Sequence, residues 1–156
     1  MKVMRAGDKF VLHLGQRERR MLGDVLGLYP RIPPGHQRLS KSGKLPDTKG
    51  AQRLLDQALA EQREQNKRQV QTLLQRAEKP GETQPGWRLS LSGTEIEWLL
   101  QVLNDVRIGS WIILGSPEEN IEAALLNEKT APDFLAMELS GHLQMQLLEA
   151  VEGARE

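Results

Sequence analysis

The chain has no cysteine among its 156 residues. That excludes disulfides, thiol catalysis, iron–sulfur clusters and thiolate zinc sites. Histidine is scarce: His13, His36 and His142 lie far apart and give no local metal-ligand spacing. Long apolar runs are missing too. The longest, Ile108-Gly-Ser-Trp-Ile-Ile-Leu-Gly115, is eight residues, whereas a membrane-spanning helix needs about 20. The opening MKVMRAGDKF has no apolar core of an export signal. A soluble cytoplasmic protein with no membrane partner is the expectation. No phosphate loop, dinucleotide glycine pattern, pair of catalytic carboxylates or His-Glu-x-x-His helix occurs. Ser40, Ser42 and the other serines have no base at a recognisable spacing. The expectation is therefore no catalytic residues, no metal and no cofactor.

What is present is ordinary in amount. Hydrophobic residues make up 38% and charged residues 27%, with 14 glycines. Counting glycine as apolar reaches the usual globular range of roughly 45–50%. The length fits a single domain, 1–156. A domain of this size buries about two-thirds of its unfolded surface, so it needs no staple. Net charge is zero but unevenly placed. Residues 1–79 hold 17 Lys+Arg and 8 Asp+Glu, and residues 80–156 hold 4 and 13. Either the halves fold onto each other and attract, or a basic face stays open for an acidic partner. A pI near 6.9 is unlike the value above ~9 usual for a dedicated nucleic-acid binder.

Residues 3–14 read as a hairpin. Gly7 and Asp8 are turn formers, and Phe10, Leu12 and Leu14 alternate onto one face. Gly86 to Leu91 offers a third strand, because a lone hairpin is marginal in water. Residues 16–28 read as a short helix ended by Tyr29-Pro30, so 1–29 forms a hairpin-and-helix unit. Residues 30–46 hold four prolines and no apolar period, a loop made basic by Arg31, Arg38, Lys41 and Lys44. A long helix follows over 47–79, starting at Asp47 or Thr48 and running to about Ala77. Its ends are amphipathic, but Glu61 to Gln69 has no apolar residue. Either it bridges solvent or its middle packs through aliphatic stems. The region 87–152 holds the third strand and the C-terminal helices. Ser92 and Glu95 form a capping box for a helix to about Leu114. Pro117 opens a short helix to about Leu126, and Thr130 a last helix to about Glu152. The fold class is thus mainly α: a helical bundle with a small antiparallel hairpin or three-stranded sheet near the N-terminus.

On a helical wheel, Ile96, Leu99, Leu100, Leu103, Val106 and Leu114 form a core stripe. Trp98, Ile108, Gly109 and Ile112 make a second apolar patch opposite. The last helix repeats this, with Leu135, Leu139, Leu143, Leu147 and Ala150 on one side and Phe134, Met137, Gly141, Met145 and Leu148 on the other. A helix apolar all round is buried all round, either at the centre of the fold or against another subunit. Gly109 and Gly141 would let helices approach closely. Arg107 falls inside the core stripe. A guanidinium cannot shed its proton, so it needs acceptors. Asp105, two residues away, cannot face it. Asp133, Glu138, Glu149 or free helix-end carbonyls can, and Asn104, near Trp111, can join them. Asn104, Arg107 and Trp111 are therefore either an internal polar brace or a small-anion or metabolite site. His13 and His142 read as partly buried and hydrogen-bonded.

The segment WRLSLSGTEIEWLLQVLNDVRIGSW, with Trp98 followed by Leu103, Asn104, Asp105, Val106 and Arg107, resembles a family of small bacterial helical proteins. That family is best known from actinobacteria and defined only as a domain of unknown function. Leu143-Gln144 followed by Leu147-Leu148 is similar to its C-terminal element. The resemblance implies a helical fold with no established activity. Genes of the family often lie beside that of a Clp protease adaptor, which implies a role near regulated proteolysis.

The functional expectation is a non-enzymatic cytoplasmic interaction or regulatory protein with a protein partner. It would self-associate, as a dimer, through the second apolar faces. Arg31, Arg38, Lys41, Lys44 and Lys49 would meet an acidic partner. A small-anion or metabolite-binding protein centred on Arg107, with or without enzymatic activity, is one alternative. A weak nucleic-acid binder using the basic loop 31–49 is the other, although only Tyr29 is there to stack on bases.

Overall fold

The computed structural model describes residues 1–33, 48–79, 81, 85–118 and 127–153. Most of the proline-rich loop and of the short helix expected before Leu126 lies outside the described residues.

Strand β1, Lys2–Ala6, and strand β2, Lys9–Leu14, pair antiparallel with Ala6 opposite Lys9. Only two residues connect them, and Gly7 supplies the positive φ of 66° that so tight a turn requires. Strand β3, Trp87–Ser92, pairs antiparallel with the other edge of β2. The order β1-β2-β3 puts the best-patterned strand in the middle. Phe10, Leu12 and Leu14 of β2 are buried beside Leu89 and Leu91 of β3, while Lys9 and Arg88 are exposed.

Four helices are seen among the described residues, and the first, third and fourth pack on that sheet. Helix α1, Gln16–Leu26, buries Leu22, Val25 and Leu26. Its first turn is closed by Glu18, which accepts from the Gly15 N–H and pairs with the Met1 ammonium. Helix α2, Thr48–Leu73, continues into a 3-10 turn, Leu74–Arg76. Glu78 then exchanges two backbone hydrogen bonds with Arg88, which fastens the end of α2 to β3. Helix α3, Gly93–Ile113, follows β3 directly. Ser92 accepts from the Glu95 N–H and Glu95 reaches back to the Ser92 N–H, the capping box read from the sequence. Helix α4, Ala131–Gly153, packs along α3 in the most extensive helix pairing of the fold. The result is a mainly α bundle on a three-stranded antiparallel sheet. Its core draws on β2, β3, α1, α3, α4 and Leu73 at the end of α2.

Two expectations are corrected. The last two helices are not buried all round: Ile113, Leu135, Met145 and Leu148 are exposed. Helix α4 is turned so that Ala136 and Ser140, not Leu135, join Leu143 and Leu147 in the interior. The Ser140 hydroxyl donates to the carbonyls of Ala136 and Met137, so its burial leaves no unmet hydrogen bond. His142, read as partly buried, is exposed on α4.

Candidate functional site

The chain leaving α1 forms a strap, Tyr29 to Ile32, laid across α3. A Cβ on Gly109 would stand 2.3 Å from the Arg31 Cβ and 2.5 Å from its carbonyl carbon. Only glycine allows that crossing. The close approach expected at Gly109 is real, but a loop makes it and not a helix. One turn earlier, Asp105 Oδ1 accepts from the N–H of Arg31 at 2.6 Å and of Ile32 at 3.4 Å. The Arg31 guanidinium donates to Ser110 Oγ at 2.9 Å and to Asp133 Oδ1 at 2.8 Å. Arg31 therefore binds α1's trailing strap to both α3 and α4. Its side chain is 18% exposed and that of Asp133 21%. Of the residues read as a basic partner surface, Arg31 is thus engaged inside the fold. Lys49 is exposed in the first turn of α2, and Arg38, Lys41 and Lys44 lie outside the described residues.

Arg107 lies half-buried between α3 and α4. Its Nη2 donates to Asn104 Oδ1 at 2.9 Å and its Nε to Gln144 Oε1 at 3.1 Å. Gln144 Nε2 then donates to the Leu100 carbonyl. The Arg107 Cδ would be 3.3 Å from a Cβ on Gly141, so that glycine makes room for the arginine stem. The acceptors are the Asn104 amide, foreseen as joining the network, and the Gln144 amide, in place of the carboxylates or free helix-end carbonyls read as candidates. Glu138 and Glu149 are exposed, and Asp133 pairs with Arg31. Asn104 and Arg107 are brought together as read. Trp111 is engaged elsewhere: its indole N–H donates to the Pro117 carbonyl at 3.0 Å, tying down the chain after α3.

A third cluster was not read from the sequence. Asn66, 6% exposed, sits in the polar middle of α2. Its Oδ1 accepts from the Trp98 indole at 2.8 Å and from Gln62 at 3.0 Å. Its Nδ2 donates to the Tyr29 hydroxyl at 3.0 Å. Arg63, one turn earlier, donates to the Ile32 carbonyl at 3.2 Å. The middle of α2 therefore docks through hydrogen bonds. The available signal was Trp98, whose indole N–H needs an acceptor when buried.

These three features border a cavity of about 230 Å³, open to solvent, between α2, α3 and the strap. Gln62, Arg63 and Asn66 line it from α2; Gln101, Asn104 and Asp105 from α3; Tyr29, Ile32 and Leu59 complete the wall. Burial pushes the Asp105 carboxyl above its ordinary value, against the pull of the two strap amides and of Arg63 nearby. Burial likewise pushes the Tyr29 phenol up, with the Asn66 hydrogen bond acting the other way.

On the outer surface, α4 presents Leu135, Glu138, His142, Met145, Glu149 and Glu152, all exposed and spaced by three or four residues along one face. The helix contains Asp133, Glu138, Glu149 and Glu152 and no Lys or Arg.

Among the described residues, no group of three or more His, Asp or Glu is placed to hold a metal ion, and no helix is long and apolar enough to cross a membrane. Comparison with known proteins gives no match: no family model, no curated protein and no solved structure matches the chain.

Proposed function

We propose that this chain is a non-enzymatic cytoplasmic interaction protein whose docking surface is the outer face of α4. One observation carries the reading. Leu135, Met145 and Leu148 are 57%, 60% and 47% exposed on a helix whose only charged side chains are carboxylates. Exposed apolar side chains gathered on one element mark interaction sites more often than scattered ones do. The charge selects the partner: a cationic amphipathic helix lays its apolar side on Leu135, Met145 and Leu148 and its Lys or Arg on Glu138, Glu149 and Glu152. Self-association through the same face is less favourable, because two copies of α4 set acid against acid.

The test is a titration of the protein with a synthetic Leu/Lys amphipathic helix and its Leu/Glu counterpart, followed by NMR amide shifts. Binding of the Leu/Lys peptide alone, at α4 and weakening with salt, is expected. Met145→Glu with Leu148→Glu should remove it by taking away the apolar contact. Equal response to both peptides, or shifts confined to other elements, refutes the reading. Light scattering on the free protein reports self-association separately, and a gel shift at low salt reports nucleic-acid binding.

A further inference from the structure

The cavity between α2, α3 and the strap has hydrogen-bonding capacity that the protein itself leaves unused. Asp105 Oδ1 takes both strap amides, whereas Oδ2 takes no hydrogen bond among the described residues. Asn104 Oδ1 takes Arg107, which leaves its Nδ2 donors without a partner among the described residues. Among the described residues, Arg63 uses one terminal nitrogen on the Ile32 carbonyl and no other. Arg63 and Asp105 face the same space from opposite helices, and no ion pair joins them among the described residues.

The unused groups have a definite order. An anionic acceptor and an amide donor stand on α3, a guanidinium fork stands on α2, and Leu59 and Ile32 supply an apolar wall. An ammonium group suits the free carboxylate oxygen. A carboxylate suits the guanidinium, whose parallel N–H groups accept it in two-pronged fashion. A volume near 230 Å³ falls below the ~300–1,000 Å³ of sites for drug-sized ligands, so the occupant is small. We propose that this cavity binds a free α-amino acid, with its ammonium group on Asp105 Oδ2, its carboxylate on Arg63 and its side chain against Leu59 and Ile32. The raised proton affinity of Asp105 is consistent with this, since an arriving cation relieves a half-buried charge.

Isothermal titration with L-leucine and L-glutamine, an apolar and a polar side chain of similar size, tests the proposal. Two fragments serve as controls: isoamylamine, which lacks the carboxylate, and 4-methylpentanoate, which lacks the ammonium. One-to-one binding of at least one amino acid is expected. Each fragment should bind about tenfold more weakly or worse, because a hydrogen bond to a charged group contributes ~1.5–3 kcal/mol. Arg63→Gln and Asp105→Asn should each weaken binding to a similar extent, with circular dichroism showing both variants folded. Asn104→Ser provides a milder second probe of the same wall. No heat from either amino acid at millimolar concentration overturns the proposal. So does a fragment binding as tightly as its parent, or affinity unchanged in both charge variants. The residues involved are not those of the α4 face, so failure here leaves the peptide titration untouched.

Discussion

At the scale of single residues, Arg107 and Asp105 respond to burial in different ways. Arg107 is half-buried and its guanidinium is held by two neutral amide oxygens. A broken buried ion pair typically costs ~3–5 kcal/mol because a charge is left behind. No carboxylate is stranded here, so Arg107→Ala should cost only about 1–2 kcal/mol, the loss of two hydrogen bonds and a packed stem. Urea denaturation measures this, and a loss above about 4 kcal/mol would require an acidic partner. Asp105 carries the opposite signature. Its folded proton affinity is raised by burial, so the folded state binds more protons than the unfolded one between the usual carboxylate value and the raised value. Stability therefore falls as pH rises through that window and stays low above it. Asp105→Asn keeps an oxygen for the Arg31 and Ile32 amides and removes the titration. The variant should gain stability relative to the parent as pH rises from mildly acidic to neutral. Melting curves at the two pH values check this, and a gap that shrinks with rising pH would contradict it.

At the scale of elements, what could be read was whatever local pattern encodes. The alternation of Phe10, Leu12 and Leu14, the turn at Gly7 and the Ser92–Glu95 box each specify structure within a few residues, and each was found as read. The rotation of α4 was not legible. Counting leucines favours Leu135 as core, yet Ala136 and Ser140 are the residues buried beside Leu143 and Leu147. The pairing of Asn104 with Arg107 followed from three-residue helical spacing. The strap over Gly109 and the reach of Asp105 to Arg31 join distant parts of the chain, and no short-range pattern announces them. Asn66 is the plainest instance. It looked like one more polar residue in a solvated helix, yet it links α2 to both Trp98 and Tyr29. Asn66→Ala should cost about 2 kcal/mol, since it leaves enclosed donors and acceptors unmet, whereas Gln62→Ala, at an exposed position, should be nearly neutral. Trp98 fluorescence and faster proteolysis within α2 report the release of that helix. Equal effects of the two substitutions would show that α2 is not held through Asn66.

At the scale of the whole molecule, the uneven charge of the two halves finds a partial use in joining them. Arg31 to Asp133 and Arg76 to Glu95 each cross from the basic to the acidic half. The two pairs differ in setting. Arg31 and Asp133 are 18% and 21% exposed, and Arg31 is also fixed by Ser110 and by its backbone on Asp105. Arg76 and Glu95 are 46% and 37% exposed. Water and salt screen the second pair well, and exposed pairs typically contribute 0.2–1 kcal/mol. The first is geometrically constrained and shielded, so its coupling should be larger, on the order of 1–2 kcal/mol. Double-mutant cycles with alanine at each pair measure the two couplings directly. The Arg31–Asp133 value should persist when salt is raised toward molar, where the Debye length falls to about 3 Å, while the Arg76–Glu95 value should vanish. If both couplings disappear together, the attraction between the halves is a diffuse field and the strap is held by packing and backbone hydrogen bonds alone. If only the exposed pair fades, Arg31 is the point at which the basic half is fastened to the acidic one.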